Sequence, residues 1–210
     1  MSHKFRPLAR WTGGCAVAAV LVGGLAPTAA AADRVDDTNV DINVTIERQE
    51  QPGFLSMTVA SNSVSLSEDG SDQTRRQFTG KLPTVTVTDT RSADEVPADA
   101  AWSVLGTVSD FKGSAGQPTI DAGHLGWAPA LVGTNDGDGL VAAGDEVETV
   151  LDQGSAAVGL KDNELLVSTW NSSEVREEGS WQANADLFLR TPVDVEPGTY
   201  SSVLTLSLFE

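Results

Sequence analysis

Residues 196–210 read "EPGTYSSVLTLSLFE", and their spacing decides the fold class. Tyr200, Ser202, Leu204, Leu206 and Leu208 fall on one face, and Ser201, Val203, Thr205, Ser207 and Phe209 on the other. A two-residue period opened by a Pro-Gly turn is strand chemistry. With three leucines on one face, the segment reads as a core strand lying inside a sheet.

The same period recurs upstream. "VDINVTIE" (40–47) sets Val40, Ile42, Val44 and Ile46 against Asp41, Asn43, Thr45 and Glu47. "FLSMTVA" (54–60) aligns Leu55, Met57 and Val59, with "SVSL" (63–66) close behind as a hairpin partner. "LPTVTVTDT" (82–90) alternates valine with threonine, a residue suited to a half-exposed pleat. "AWSVLGTVSDF" (101–111) aligns Trp102, Val104, Gly106 and Val108, and "SWQANADLFLRTP" (180–192) aligns Trp181, Ala183, Ala185, Leu187 and Leu189. Between them lie "SEDGSD" (67–72), "KGSAGQP" (112–118), "GTNDGDG" (133–139) and "SSEVREEG" (172–179), each rich in residues that permit turns. No amphipathic window of helical length interrupts this, and "VPADAAW" offers one helical turn at most. Short alternating strands separated by turn signals predict an all-β, antiparallel β-sandwich forming a single domain.

The first 32 residues stand outside that domain. Lys4, Arg6 and Arg10 precede an apolar run at 13–25 that contains four glycines. A membrane span needs about 20 apolar residues, and this run is shorter. With small residues at Ala30 and Ala32 it reads as a signal peptide, leaving Asp33 as the new N-terminus. Cys15 lies too early in the run, and without the leucine of a lipobox, to serve as a lipidation site. Residues 33–39 read as a flexible leader and 40–210 as the sandwich. No cysteine follows Cys15, so an exported domain of this kind is held by burial and backbone pairing rather than by disulfides.

Charge restricts the partners. The segment 33–210 keeps all 30 acids but only ten of the 13 basic residues, a formal charge of −20. Phosphate backbones repel such a surface, so nucleic acid is not an expected partner. Anionic lipid and wall phosphate are not attracted in bulk either, and no membrane insertion is expected after signal cleavage.

Chemistry-bearing residues are sparse. His124 is the only histidine after the signal segment, and "DAGHLGWAPAL" around it lacks a nucleophile elbow, so it reads as a structural histidine. One histidine without cysteines does not assemble a zinc site. Nothing singles out two of the 30 acids as a glycosidase pair. No enzyme activity and no cofactor are expected. In "TNDGDGLVAAGD" (134–145), Asp136, Asp138 and Gly139 match the third, fifth and sixth places of an EF-hand loop and Asp145 the twelfth, which makes calcium a candidate ligand. Thr134 stands where the first carboxylate belongs and no helices flank the loop, so a surface turn is the competing reading. Among the tryptophans, Trp102 and Trp181 share a register with aliphatic neighbours and read as core. Trp127 and Trp170 lie near turn residues and read as exposed rings able to stack on sugar faces, a contact that needs no charge.

Four stretches in order, "LPTVTVTDTR" (82–91), "AWSVLGTVSDFKG" (101–113), "GHLGWAPAL" (123–131) and "ADLFLRTPVDVEPGTYSSVLTLSL" (185–208), resemble the WxL-type surface domain of Gram-positive bacteria, in its actinobacterial form. The proximal Trp-x-Leu motif falls on Trp102, Ser103 and Val104. The distal motif falls on Tyr200, Leu204, Thr205, Leu206 and Leu208, with Leu206 in the place of the tryptophan. The resemblance implies a secreted β-sandwich held non-covalently at the cell surface, with peptidoglycan or other surface proteins as partners, and it brings Trp102 and Tyr200 forward with Trp127 and Trp170 as binding candidates. "LPTVT" at 82–86 does not match an LPxTG sorting signal, which fits non-covalent association.

Overall fold

The structure, a computed structural model, describes residues 42–47, 51–92, 94–134, 136, 139–175 and 179–210. Residues 1–32 and 33–39, expected to be a signal segment and a leader, lie outside the described residues, as does Asp138. Residues 42–47 belong to a unit separate from Arg48–Glu210. They form no strand, and Ile42, Val44 and Ile46 are 90, 79 and 87 % exposed. The strand expected at 40–47 is therefore corrected for its described part. Alternation marks a face that can be buried, but a strand also needs a hydrogen-bonding neighbour.

The domain is all-β and antiparallel, as expected. Among the described residues twelve strands follow in order: β1 (Leu55–Val59), β2 (Ser67–Glu68), β3 (Arg75–Lys81), β4 (Val85–Asp89), β5 (Trp102–Val108), β6 (Lys112–Gly113), β7 (Leu125–Leu131), β8 (Val141–Ala143), β9 (Glu164–Thr169), β10 (Ser180–Pro192), β11 (Tyr200–Ser201) and β12 (Leu204–Phe209). A 3-10 turn at Ala122–His124 precedes β7, and one helical turn, α1 (Ser172–Val175), lies within the stretch expected to be a loop. At 63–66 there is no strand; pairing resumes only at Ser67–Glu68, where Ser67 meets Thr79. The helical turn considered at "VPADAAW" is a tight turn instead, with Asp99 at φ 62°, a conformation that aspartate tolerates.

The 13-residue β10 is the spine of the first sheet. Along one side β7 pairs from Leu125↔Leu189 to Leu131↔Ala183. Along the other side β3 and β4 lie end to end, β3 against Asp186–Pro192 and β4 against Ser180–Ala183. The break between them falls at Leu82–Thr84, where Pro83 lacks the N–H that a ladder needs. β1 extends the sheet beyond β4, and β2 beyond β3. The second sheet runs β12-β5-β9-β8, with a register shift between Val104 and Leu105. β6 and β11 form a separate two-stranded ribbon.

Both sheets contribute to one core. Val85, Val87, Trp181, Ala183, Ala185, Leu187, Leu125 and Trp127 from the first meet Trp102, Val104, Val108, Leu166 and Val167 from the second. Trp102 and Trp181 meet with ring centroids 5.4 Å apart at 38°. Trp127 crosses to β5, where a Cβ added at Gly106 would stand 2.6 Å from its Cη2 atom. The sheets approach at that point because residue 106 has no side chain. On the first sheet's other face, Phe188 lies across Gly126, its cross-strand partner, and Arg190 covers the ring at 4.5 Å.

The closing strand keeps the expected faces but not the expected place. Leu204, Leu206 and Leu208 turn inward, and Val203, Thr205 and Phe209 are exposed. Among the described residues, however, β12 pairs only with β5 and lies at the sheet's edge, and its leucines are half buried. The alternation of a strand specifies its faces, while its place in the sheet is set by partners elsewhere in the chain.

A buried ion pair ties the two sheets at this end. Asp89 at the end of β4 is fully buried and accepts from Arg91 Nε at 2.8 Å and Arg91 Nη2 at 2.7 Å. Arg91 Nη1 also pairs with the Glu210 carboxylate beyond β12. Two measurements test this packing. Gly106→Ala should destabilise the domain by about 1–3 kcal/mol, because its methyl group must displace the Trp127 indole; urea denaturation checks it, and a neutral or stabilising result contradicts the close approach. Arg91→Met should cost about 3–5 kcal/mol by leaving the Asp89 carboxylate without its guanidinium, whereas Glu210→Gln at the exposed end should cost about 0–1 kcal/mol.

Candidate functional site

The four aromatic candidates separate into interior and surface. Trp102 is buried in β5 and Trp127 in β7, the latter with no exposed surface. The expectation that Trp127 is an exposed ring is thereby corrected. Gly126 and Pro129 beside it suggest a turn, but "LGWAPAL" runs as strand along β10, and the ring enters the core opposite Gly106. Tyr200 is half buried, and its hydroxyl donates to the Glu196 carbonyl at 2.7 Å.

Trp170 is the exception, 78 % exposed. It occupies the turn between β9 and α1, and that turn is held from both sides. The Thr169 hydroxyl donates to the Leu140 carbonyl at 3.1 Å and accepts from Asn171 N–H at 3.3 Å. Asn171 caps the short helix: its Oδ1 accepts from Ser173 N–H at 3.0 Å and from the Ser173 hydroxyl at 2.7 Å. Ser172 N–H donates to the Ala100 carbonyl, and Val175 is buried, which anchors the far end. An indole projecting from a turn pinned in this way presents an apolar face to solvent.

Among the described residues the acidic loop shows no assembled cation site. Asp136 is exposed, and its backbone carbonyl accepts from Val141 N–H at 2.8 Å, closing a turn. Asp145 is also exposed, and among the described residues no group of three or more His, Cys, Asp or Glu side chains is placed to hold a metal ion. His124 contributes to structure: its Nδ1 lies 2.6 Å from the Arg190 carbonyl, which can only accept, so that nitrogen carries the proton.

The basic residues are largely engaged within the domain. Arg76 pairs with Glu68, Lys81 with Asp186 and Arg91 with Asp89. Arg75 and Arg190 converge on Asp152, at 2.6 and 2.5 Å. The Asp152 carboxylate also accepts from the Thr149 N–H at 3.0 Å and its hydroxyl at 2.7 Å, so one side chain ties β3, β10 and the 149–152 turn together. Burial pushes this carboxyl up, but the hydrogen bonds from Thr149, Arg190 and Arg75 outweigh it and hold the group down at about 2.

A cleft of about 980 Å³ opens between the free edges of the two sheets, and the sequence reading did not find it. Met57 and Val59 of β1 line one lip and Leu204 and Leu206 of β12 another, with Phe78 and Phe111 among the residues lining its interior. Its only signal in the sequence is the alternation of its lining strands, which reads the same in a closed core. Among the described residues no helix is long and apolar enough to cross a membrane. The chain matches no protein-family model, no curated protein and no solved structure.

The Asp152 network has a defined pH signature. The folded-state value of about 2 lies below the ordinary 3.8, so the stabilisation is complete above pH ~4 and is lost as pH falls through ~2. Comparing the melting temperatures of the wild-type protein and Asp152→Asn should give a gap that is largest above pH ~4 and narrows towards pH ~2. A gap that stays constant across that range contradicts the assignment.

Proposed function

We propose that this chain is an exported, non-enzymatic surface protein of the WxL type that associates non-covalently with the Gram-positive cell wall. The observation that carries this reading is the Trp170 ring, 78 % exposed on a turn fixed by Asn171 and Thr169. A large, exposed aromatic ring on a rigid turn has the character of a contact surface. Stacking on the apolar face of a wall sugar suits a chain whose net charge keeps anionic polymers at a distance. The buried Trp102 supports the reading in a different way, as a framework residue of the proximal motif that shapes the domain from within.

A second reading, a structural or adhesive subunit that joins other surface proteins without touching glycan, draws on the apolar cleft and the two free sheet edges beside it. Co-sedimentation of the purified protein with isolated cell walls separates the two. Wall binding by stacking should survive high salt and chelator and fall several-fold in Trp170→Ala, with an unchanged thermal transition. Loss of binding with chelator alone points to cation bridging through the loop of Asp136, Asp138 and Asp145. Failure to sediment with walls under all conditions removes the first reading.

A further inference from the structure

We propose that the cleft between the two sheets is a binding site for a neutral, largely hydrocarbon small molecule, an alkyl chain carrying one hydroxyl or carbonyl group. The site lies apart from Trp170, and the inference does not depend on wall association. Every residue that lines the cleft belongs to the unit Arg48–Glu210.

Apolar side chains from both layers supply the walls. Leu125, Leu187 and Leu189 of the first sheet and Val108 of the second are buried residues of the shared core that also line the cleft, with Phe111 and Ile120 beside them. Met57, Phe78, Leu204 and Leu206 line it too and are only half buried. Covering that surface is the driving force that a hydrocarbon ligand uses. Small-molecule sites are mostly apolar spaces of about 300–1,000 Å³ with a few placed polar groups, and this cleft of about 980 Å³ falls within that range. One rim is fixed before any ligand arrives. Ser114 N–H donates to the Thr199 carbonyl at 2.9 Å, Gln117 Nε2 to the Pro197 carbonyl at 3.3 Å, and Val203 N–H to the Ser109 hydroxyl at 3.1 Å. A rim held in this way loses little freedom on binding.

Thr191 supplies the polar contact. It follows Leu187 and Leu189 at two-residue spacing along β10, on the face that lines the cleft, and is itself one of the lining residues. Its side chain is fully buried, and among the described residues its Oγ1 has no hydrogen-bond partner. Buried hydroxyls are normally paired, and a hydroxyl or carbonyl on a bound molecule completes this one.

Charge sets the rest of the ligand. Arg76 and Glu196 are the only charged residues that line the cleft. Glu68 already holds Arg76, through Nε at 3.0 Å and Nη2 at 2.8 Å. An anionic head therefore finds no unengaged cation among the lining residues, and a charged group of either sign loses its hydration on reaching the buried Thr191.

Fluorescence titration of the purified protein with diphenylhexatriene, a hydrocarbon that emits strongly only out of water, tests the proposal. The wild type should bind the probe saturably, and decanol should displace it at concentrations at least about 10-fold below those needed of decanoate or decylamine. Thr191→Val should melt no lower than the wild type, keep its affinity for the probe, and bind decanol about 3- to 10-fold more weakly. Met57→Asp, which sets a carboxylate in the lip, should weaken binding of both molecules by more than about 10-fold; if it fails to fold, the Thr191→Val comparison decides. No saturable binding of the probe overturns the proposal, whatever fills the cleft, a segment of the chain itself included. Equal affinities for decanol and decanoate overturn it, as does a Thr191→Val protein that binds decanol like the wild type. Undiminished probe binding in a folded Met57→Asp protein places the probe elsewhere and also overturns it.

Discussion

Trp127 reaches from one sheet to lay its indole on the bare backbone of Gly106 in the other, and much of the domain depends on that approach. With Cys15 the only cysteine, no internal disulfide can join the sheets. Cohesion therefore comes from apolar surface removed from water and from close packing. Trp102 and Trp181 repeat the arrangement one step along the same interface, with their rings in contact across the layers. The tryptophans are wide enough to bridge the two sheets. Small residues, Gly106 on β5 and Ala183 and Ala185 on β10, leave room for them.

Charge works at the periphery of that core. Asp89 and Arg91 close one end of the sandwich, and Asp152 gathers Arg75 and Arg190 on the first sheet. Through Arg91 and Glu210 the first cluster joins segments far apart in sequence, and through Arg75, Asp152 and Arg190 the second does the same, the work a disulfide does in many domains. Engaging the basic side chains in this way has a consequence for partners. Among the described residues the guanidinium groups of Arg75, Arg76, Arg91 and Arg190 are turned to carboxylates of the same chain, while the sequence carries 30 acids against 13 basic residues. Contact with an anionic partner would then rely on apolar and backbone contacts. Trp170 and the cleft beside β12 are the places where such contacts are offered.

The sequence was most legible where alternation was strict. Trp181, Ala183, Ala185, Leu187 and Leu189 fall inward along β10 as their spacing requires, and so do Val85 and Val87 along β4. Three longer strands went unread for identifiable reasons. β3, "RRQFTGK", carries too many polar and charged residues to display a face. β7, "LGWAPAL", contains a glycine and a proline that signal a turn. β9, "ELLVST", groups its apolar residues as Leu165, Leu166 and Val167 without a two-residue period. Trp127 was misplaced for the second of these reasons: local turn chemistry argued for the surface, and pairing with β10 carried the ring inside.

The sequence by itself determined the class of the fold and the two faces of its strongest strands, because a strand's period of two is a local property of the backbone. It also determined the absence of an internal disulfide and the sign of the surface, which follow from composition. Tertiary structure alone decided which strands became edges, which tryptophan stayed in solvent, and where an apolar cleft remained open. Those outcomes depend on which segments meet across long stretches of chain. Ile42, Val44 and Ile46 alternate as regularly as Val85 and Val87, yet the first set is exposed and the second buried, because β4 lies between β1 and β10 and residues 42–47 form no strand.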